Sequence, residues 1–173
     1  MEKILVVIDM QNDFIDGSLG TKEALEIVPN VLNKIKEYEP HNIYATRDTH
    51  YENYLETSEG KHLPVAHCIK DSQGWQIRDE IMAAMPEAKI VDKVTFGSTD
   101  LADMLFARND KSELDIELIG LCTDICVVSN ALLLKAKMPE IHISVDSSCC
   151  AGVAPQSHEA ALSTMRMCQI DVQ

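Results

Sequence analysis

Short, unbroken apolar runs alternate with stretches of helical period along the whole chain, and this alternation constrains the fold more than any other feature. Residues 4–8, Ile-Leu-Val-Val-Ile, are the first run. They are continuous rather than alternating, as a central strand covered on both faces requires. Residues 24–38 then carry Leu25, Val28, Val31, Leu32 and Ile35 at helical spacing, with Pro40 just past the stop. Further strands are predicted at 41–46, 88–91, 115–119 and 141–145, helices at 77–84, 100–109, 125–136 and 157–167, and a short sixth strand at 168–172. The order βαβαβαβαβαβ predicts a three-layer α/β/α, doubly wound fold: a mainly parallel, five- or six-stranded sheet with helices on both faces, because each crossover is right-handed. No linker, repeat or low-complexity segment divides the chain, so residues 1–173 read as a single domain.

Open parallel sheets bind ligands in the crevice at the carboxyl ends of their strands. Asp9, Asp48 and Lys93 each stand just beyond an apolar run. Between Glu117 and Val128 a strand stops at Gly120, turns, and enters a helix with Cys126 near its first turn. The positive end of that helix is expected to favour thiolate over thiol.

Charge narrows the partners. A formal net charge of -13 argues against nonspecific binding to nucleic acid or an anionic membrane. The start lacks a signal-peptide pattern and no apolar run reaches membrane-spanning length, which points to a cytoplasmic protein. Six cysteines without a compact disulfide framework are expected to be reduced, one of them reactive.

Two constellations could carry chemistry. Asp9, Lys93 and Cys126 supply a base, a cation and a nucleophile, a chemically sufficient set; a structural ion pair beside a core thiol satisfies the same pattern. Asp48 and His50, two apart in an extended segment, point the same way, and the irregular stretch 51–74 can return His67 to complete one carboxylate and two imidazoles, with Glu59 as a further ligand. That donor set suits one divalent transition metal, zinc first, with iron and manganese next; loop histidines beside an N-capping aspartate are the plainer alternative. Phe14, Tyr51, Tyr54, Trp75 and Phe96 hold most of the aromatic side chains in a chain with only 5% of them, and sit in or beside the crevice loops, where they could wall a flat substrate. The chain has no GxGxxG, Walker or GxSxG signature, which argues against dinucleotide binding, nucleotide phosphate binding and serine hydrolysis of the α/β type.

Asp9-Met-Gln-Asn-Asp-Phe14, Thr46-Arg-Asp-Thr-His50, Leu63-Pro-Val-Ala-His67-Cys, Lys93-x-x-Phe-Gly-Ser98 and Gly120-Leu-Cys-Thr-Asp-Ile-Cys126-Val occur in this order. Together they resemble the isochorismatase-like cysteine hydrolase superfamily, and within it the nicotinamidase/pyrazinamidase branch. The resemblance implies Cys126 as nucleophile, Asp9 as acid/base and Lys93 as third member. It also implies a cis peptide before Cys122, with the backbone N–H groups of Cys122 and Cys126 as an oxyanion hole. Asp48, His50 and His67 match the branch's metal ligands and Glu59 an additional carboxylate; Phe14, Trp75, Phe96, Leu121 and Cys122 fall where the substrate is bound. Departures at Thr49, after His50 and at Thr99, where the branch often has aromatic residues or proline, leave the ring substrate open. The implied function is hydrolysis of nicotinamide or a pyrazinamide-like aromatic carboxamide to acid and ammonia through a thioester, by a homo-oligomer. Hydrolysis of another small amide or carbamoyl compound, and a noncatalytic or redox-sensing binding protein, are the competing expectations.

Overall fold

The computed structural model describes residues 1–173. Its centre is a six-stranded sheet in the order β3-β2-β1-β4-β5-β6. The strands are β1 (Glu2–Ile8), β2 (Ile43–Asp48), β3 (Lys89–Lys93), β4 (Leu114–Leu121), β5 (His142–Ala151) and β6 (Asp171–Val172). Every pairing is parallel.

The continuous apolar run of β1 is explained by two cores, one on each face of the sheet. Ile4, Val6 and Ile8 face one side, where α6 (Thr99–Asn109), α7 (Val128–Lys137) and α8 (Pro155–Met167) add Leu101, Leu105, Ala131, Leu134, Leu162 and Met165. Leu5 and Val7 face the other, against α1 (Asn12–Ile15), α2 (Lys22–Glu26), α3 (Val28–Ile35) and α5 (Asp79–Ala84). Alternate residues of a strand point to opposite faces, so two covered faces need apolar side chains at every position. No helix of the chain is long and apolar enough to cross a membrane.

Several boundaries differ from the sequence expectation. Residues 24–38 are two helices, because Pro29, near the start of α3, has no N–H to continue the ladder from α2. The stretch 51–74, expected to be irregular, contains a 3₁₀ turn at Tyr54–Glu56 and α4 (Ser58–His62), which Thr57 caps by accepting from Gly60 N. The fifth strand continues past Val145 to Ala151, regaining register with β4 at Gly120↔Cys150 after an irregularity. Its polar residues read as loop, but Asp146 is paired 2.9 Å from Lys34 of α3.

The strand order reverses between β1 and β4, the neighbours at the centre of the sheet. A crevice therefore opens past their carboxyl ends. Asp9 follows β1 directly, and the turn leading to Cys126 follows β4.

Candidate active site

The nucleophile candidate stands on an unusually wide turn. Residues Thr123–Val127 make i→i+5 bonds, Val127 N to Cys122 O and Val128 N to Thr123 O, before α7 begins. Such wide turns recur at functional sites. The Leu121–Cys122 peptide is cis, and Gly120 has φ +119, where a Cβ would lie 2.1 Å from Ile8 O. Only glycine allows β4 to come this close to β1 at that point.

Asp9, Lys93 and Cys126 meet although they come from three strand ends. The Lys93 ammonium is 2.7 Å from Asp9 Oδ2 and 3.4 Å from Cys126 Sγ. Asp9 Oδ1 accepts from Thr46 Oγ1 at 2.6 Å, and Thr46 Oγ1 accepts in turn from Asp9 N. All three side chains are buried, Asp9 and Lys93 behind the thiol.

Burial decides the protonation of this group. It pushes the Cys126 thiol well above its ordinary value, and the Asp9 carboxyl adds to that rise against the opposing pull of Lys93. Burial also raises Asp9, again opposed by Lys93. Burial works against the Lys93 charge, but Asp9, Cys126 and Asp48 outweigh it and hold the ammonium above its usual range. Burial and the Asp9 carboxyl therefore act against the thiolate form that the helix end favours. A base beside the thiol is what such an environment calls for.

The second constellation lies next to the first. Ligand atoms of Asp48, His50, Glu59 and His67 all fall within 4.8 Å of one another. Pairing of His50 with Ile69, through His50 N to Cys68 O, folds the long loop back and brings His67 opposite His50. Cys68 N donates to Asp13 Oδ2, and Gln11 bonds both the backbone of Asp48 and the carbonyl of Trp75. Lys93 Nζ, 3.3 Å from Asp48 Oδ1, joins the two groups.

These four residues fit a divalent cation. His67 Nδ1 is 2.8 Å from Val65 O, which suits a donated hydrogen bond and leaves Nε2 free to ligate. His50 Nε2 is buried without a well-directed hydrogen bond, with Asp48 Oδ2 only 2.9 Å away. Burial opposes charge on His50, yet Asp48 and Glu59 raise it to about 9, so the local field attracts positive charge. Two carboxylates and two imidazoles in this arrangement suit zinc, iron or manganese.

Cys126 and the four-residue cluster border one cavity of about 720 Å³. Cys126, Cys122, Phe14, Phe96 and the four ligand candidates line it. Leu121 and Trp75 do not: Leu121 is fully buried in the core, and Trp75 Nε1 donates to Thr49 Oγ1 while Arg47 covers its ring at 3.7 Å. Tyr51 and Tyr54 are also absent from the lining; Tyr54 packs edge-on against His50 and His67. All six cysteines are free thiols.

Thr46, Gln11, Asp13 and Asn130 hold this arrangement together and were not singled out in the sequence. The first three lie inside the motifs quoted above, but their partners are 37 or more residues away, beyond any local pattern. Asn130 donates to Phe96 O and Cys126 O and accepts from Ser98 N, so it ties the wide turn to the loop that follows Lys93.

Fold and site together define a class: a parallel α/β protein with a thiol, carboxylate and ammonium grouped at its switch point, beside a four-residue cation cluster. The chain belongs to the isochorismatase family, whose domain matches residues 3–173. It is similar to the nicotinamidase of Saccharomyces cerevisiae, 28% identical over an alignment that covers 75% of this chain and 80% of that protein. Among solved structures it resembles the pyrazinamidase of Pyrococcus horikoshii in complex with zinc, at TM-score 0.80 and 26% identity, over 100% of this chain and 99% of that one. It also resembles the N-carbamoylsarcosine amidase of Thermoplasma acidophilum, at TM-score 0.79 and 27% identity, over 100% and 96%.

Proposed function

We propose that this chain is a metal-containing cysteine amidohydrolase that converts nicotinamide, or a pyrazinamide-like aromatic carboxamide, to the acid and ammonia. One observation carries the reading: Cys126, with Asp9 and Lys93 behind it, and the Asp48, His50, Glu59 and His67 cluster border the same cavity. The similarity to a nicotinamidase and to a zinc-bound pyrazinamidase supports it.

In this reading Phe14 and Phe96 flank the ring and the carboxamide carbon faces Cys126 Sγ. Asp9, held as a carboxylate by Lys93, takes the thiol proton as sulfur attacks and becomes neutral, and the Lys93 ammonium, 3.4 Å from Sγ, faces the charge developing on sulfur. The backbone N–H groups of Cys122 and Cys126 receive the oxyanion. Asp9 then gives its proton to the departing nitrogen, the C–N bond breaks, and a thioester and ammonia remain. A water that loses its proton to Asp9 hydrolyses the thioester, and the proton returns to sulfur as the acid leaves. A divalent ion held by Asp48, His50, His67 and Glu59, zinc by preference, would supply a fixed, polarising contact for the ring nitrogen.

The test is ammonia release from nicotinamide, pyrazinamide and non-ring amides by metal-analysed protein, with and without chelator. Cys126→Ala should abolish turnover and leave metal content unchanged; full activity in that variant removes the mechanism. The likeness to N-carbamoylsarcosine amidase favours a second reading, hydrolysis of a small carbamoyl compound through the same thiol, which predicts turnover of the non-ring amides alone. The free thiols suit a reducing compartment such as the cytoplasm. Self-association through the half-buried Leu132 and Leu133 of α7 belongs to the same reading, and sedimentation tests it.

A further inference from the structure

The cavity is far larger than the substrate of the simplest reading. A single-ring carboxamide would fill about a fifth of 720 Å³, a volume of the size that holds much larger ligands. What lines the remainder is specific. Leu63, Val94, Phe96 and Val153 come from three separate parts of the chain and all border the cavity. They are 38, 68, 41 and 56% exposed and belong to neither core, so packing of the fold does not account for them. Large apolar side chains held in water around a cavity mouth mark a surface that something apolar covers.

Charge limits what that is. The charged and titratable residues of the lining are Asp48, His50, Glu59, His62, His67, Cys122 and Cys126; no lysine or arginine borders the cavity. The chain as a whole carries -13. A phosphate or carboxylate on the part of the ligand away from the cation cluster would find no lysine or arginine beside Leu63, Val94, Phe96 and Val153, and a repulsive field from the chain as a whole. A neutral apolar group would displace water from four apolar side chains.

We propose that the substrate is an aromatic primary carboxamide bearing an uncharged apolar substituent on its ring, with the substituent seated against Leu63, Val94, Phe96 and Val153. This rests on the amidase reading and deepens it. The bonds made and broken are those of that reaction: water replaces ammonia at the carboxamide carbon, and the substituent takes no part. Its role is to bury apolar surface at the mouth and hold the ring so that the carboxamide stays at Cys126.

The test compares kcat/KM for ammonia release from nicotinamide, nicotinamide with a butyl or phenyl group on the ring, and nicotinamide with a carboxylate or phosphate-bearing group at the same ring position. The apolar derivatives should exceed nicotinamide by at least about tenfold, and the anionic ones should fall below it. In a Val94→Ser, Val153→Ser double variant, whose positions are exposed enough to leave the fold intact, the ratio of apolar derivative to nicotinamide should fall towards one. Nicotinamide turned over as well as or better than every apolar derivative, or a ratio unchanged in the double variant, overturns the inference and leaves the amidase reading standing. No ammonia from any aromatic amide overturns both.

Discussion

Replacing Asn130 by alanine would break three hydrogen bonds at one buried position. Its Oδ1 accepts from Ser98 N at 2.9 Å, and its Nδ2 donates to Phe96 O at 3.0 Å and Cys126 O at 2.8 Å. The residue is 1% exposed, so water does not replace these partners freely. Two of these bonds are buried and the one to Phe96 O is partly buried, so leaving the two buried backbone groups unpaired at roughly 1–2 kcal/mol each gives a loss of about 2–4 kcal/mol. Against a total stability of about 5–15 kcal/mol, most of the population stays folded at room temperature, with Tm lowered by roughly 5–15 °C. Asn130→Asp should be no better, since its second oxygen would face two carbonyl oxygens where an amide donated. Urea denaturation, read by the single tryptophan and by circular dichroism, gives the stability; alkylation of Cys126 by iodoacetamide reports whether the wide turn has loosened. A loss below about 1 kcal/mol with unaltered alkylation would refute the view that Asn130 clamps the turn to the loop after Lys93.

Gly120→Ala puts a methyl group 2.1 Å from Ile8 O at a φ of +119, and should destabilise by more than about 3 kcal/mol. Gly97→Ala, whose nearest neighbours are 3.5 Å away, should stay within about 1 kcal/mol in the same denaturation assay. Changing both His50 and His67 to alanine should lower metal occupancy, measured by atomic emission, and chiefly raise KM; undiminished metal would rule out the site. His142 lies between Asp115 and Asp171, whose hydrogen bonds raise its pKa above the ordinary 6.5. A raised histidine stabilises the fold while both states are protonated, so its contribution is full below pH 6.5 and disappears as pH rises through the folded value. His142→Gln should therefore lower Tm near pH 6 and much less near pH 9; because the ring is exposed, the effect stays below about 1 kcal/mol.

The parallel sheet and its strand-end chemistry were legible in the sequence because both are written at short range. A two-sided strand shows as an unbroken apolar run, and the polar residue that ends it shows where the crevice must be. Features that depend on a distant partner were not legible. Polar residues 146–148 read as loop because nothing nearby discloses Lys34, which lets β5 continue. Trp75 read as a substrate wall because its neighbours do not disclose that Thr49 and Arg47 already occupy its N–H and its ring. Thr57 and Pro29 are different: they carry local signals for a helix start and a helix break, and both act over a few residues.

By itself the amino-acid order determined which side chains stand at the ends of β1, β2 and β3 and on the turn after β4, since periodicity and turn chemistry act over a few residues. Only the tertiary structure decided that Asp9, Lys93 and Cys126 touch, that Asp48, His50, Glu59 and His67 converge, and that burial pushes the thiol above its ordinary pKa. Those outcomes follow from burial and from contacts between segments tens of residues apart. A group's charge is set by the dielectric and the neighbours it meets after folding, and neither is encoded at its own position in the chain.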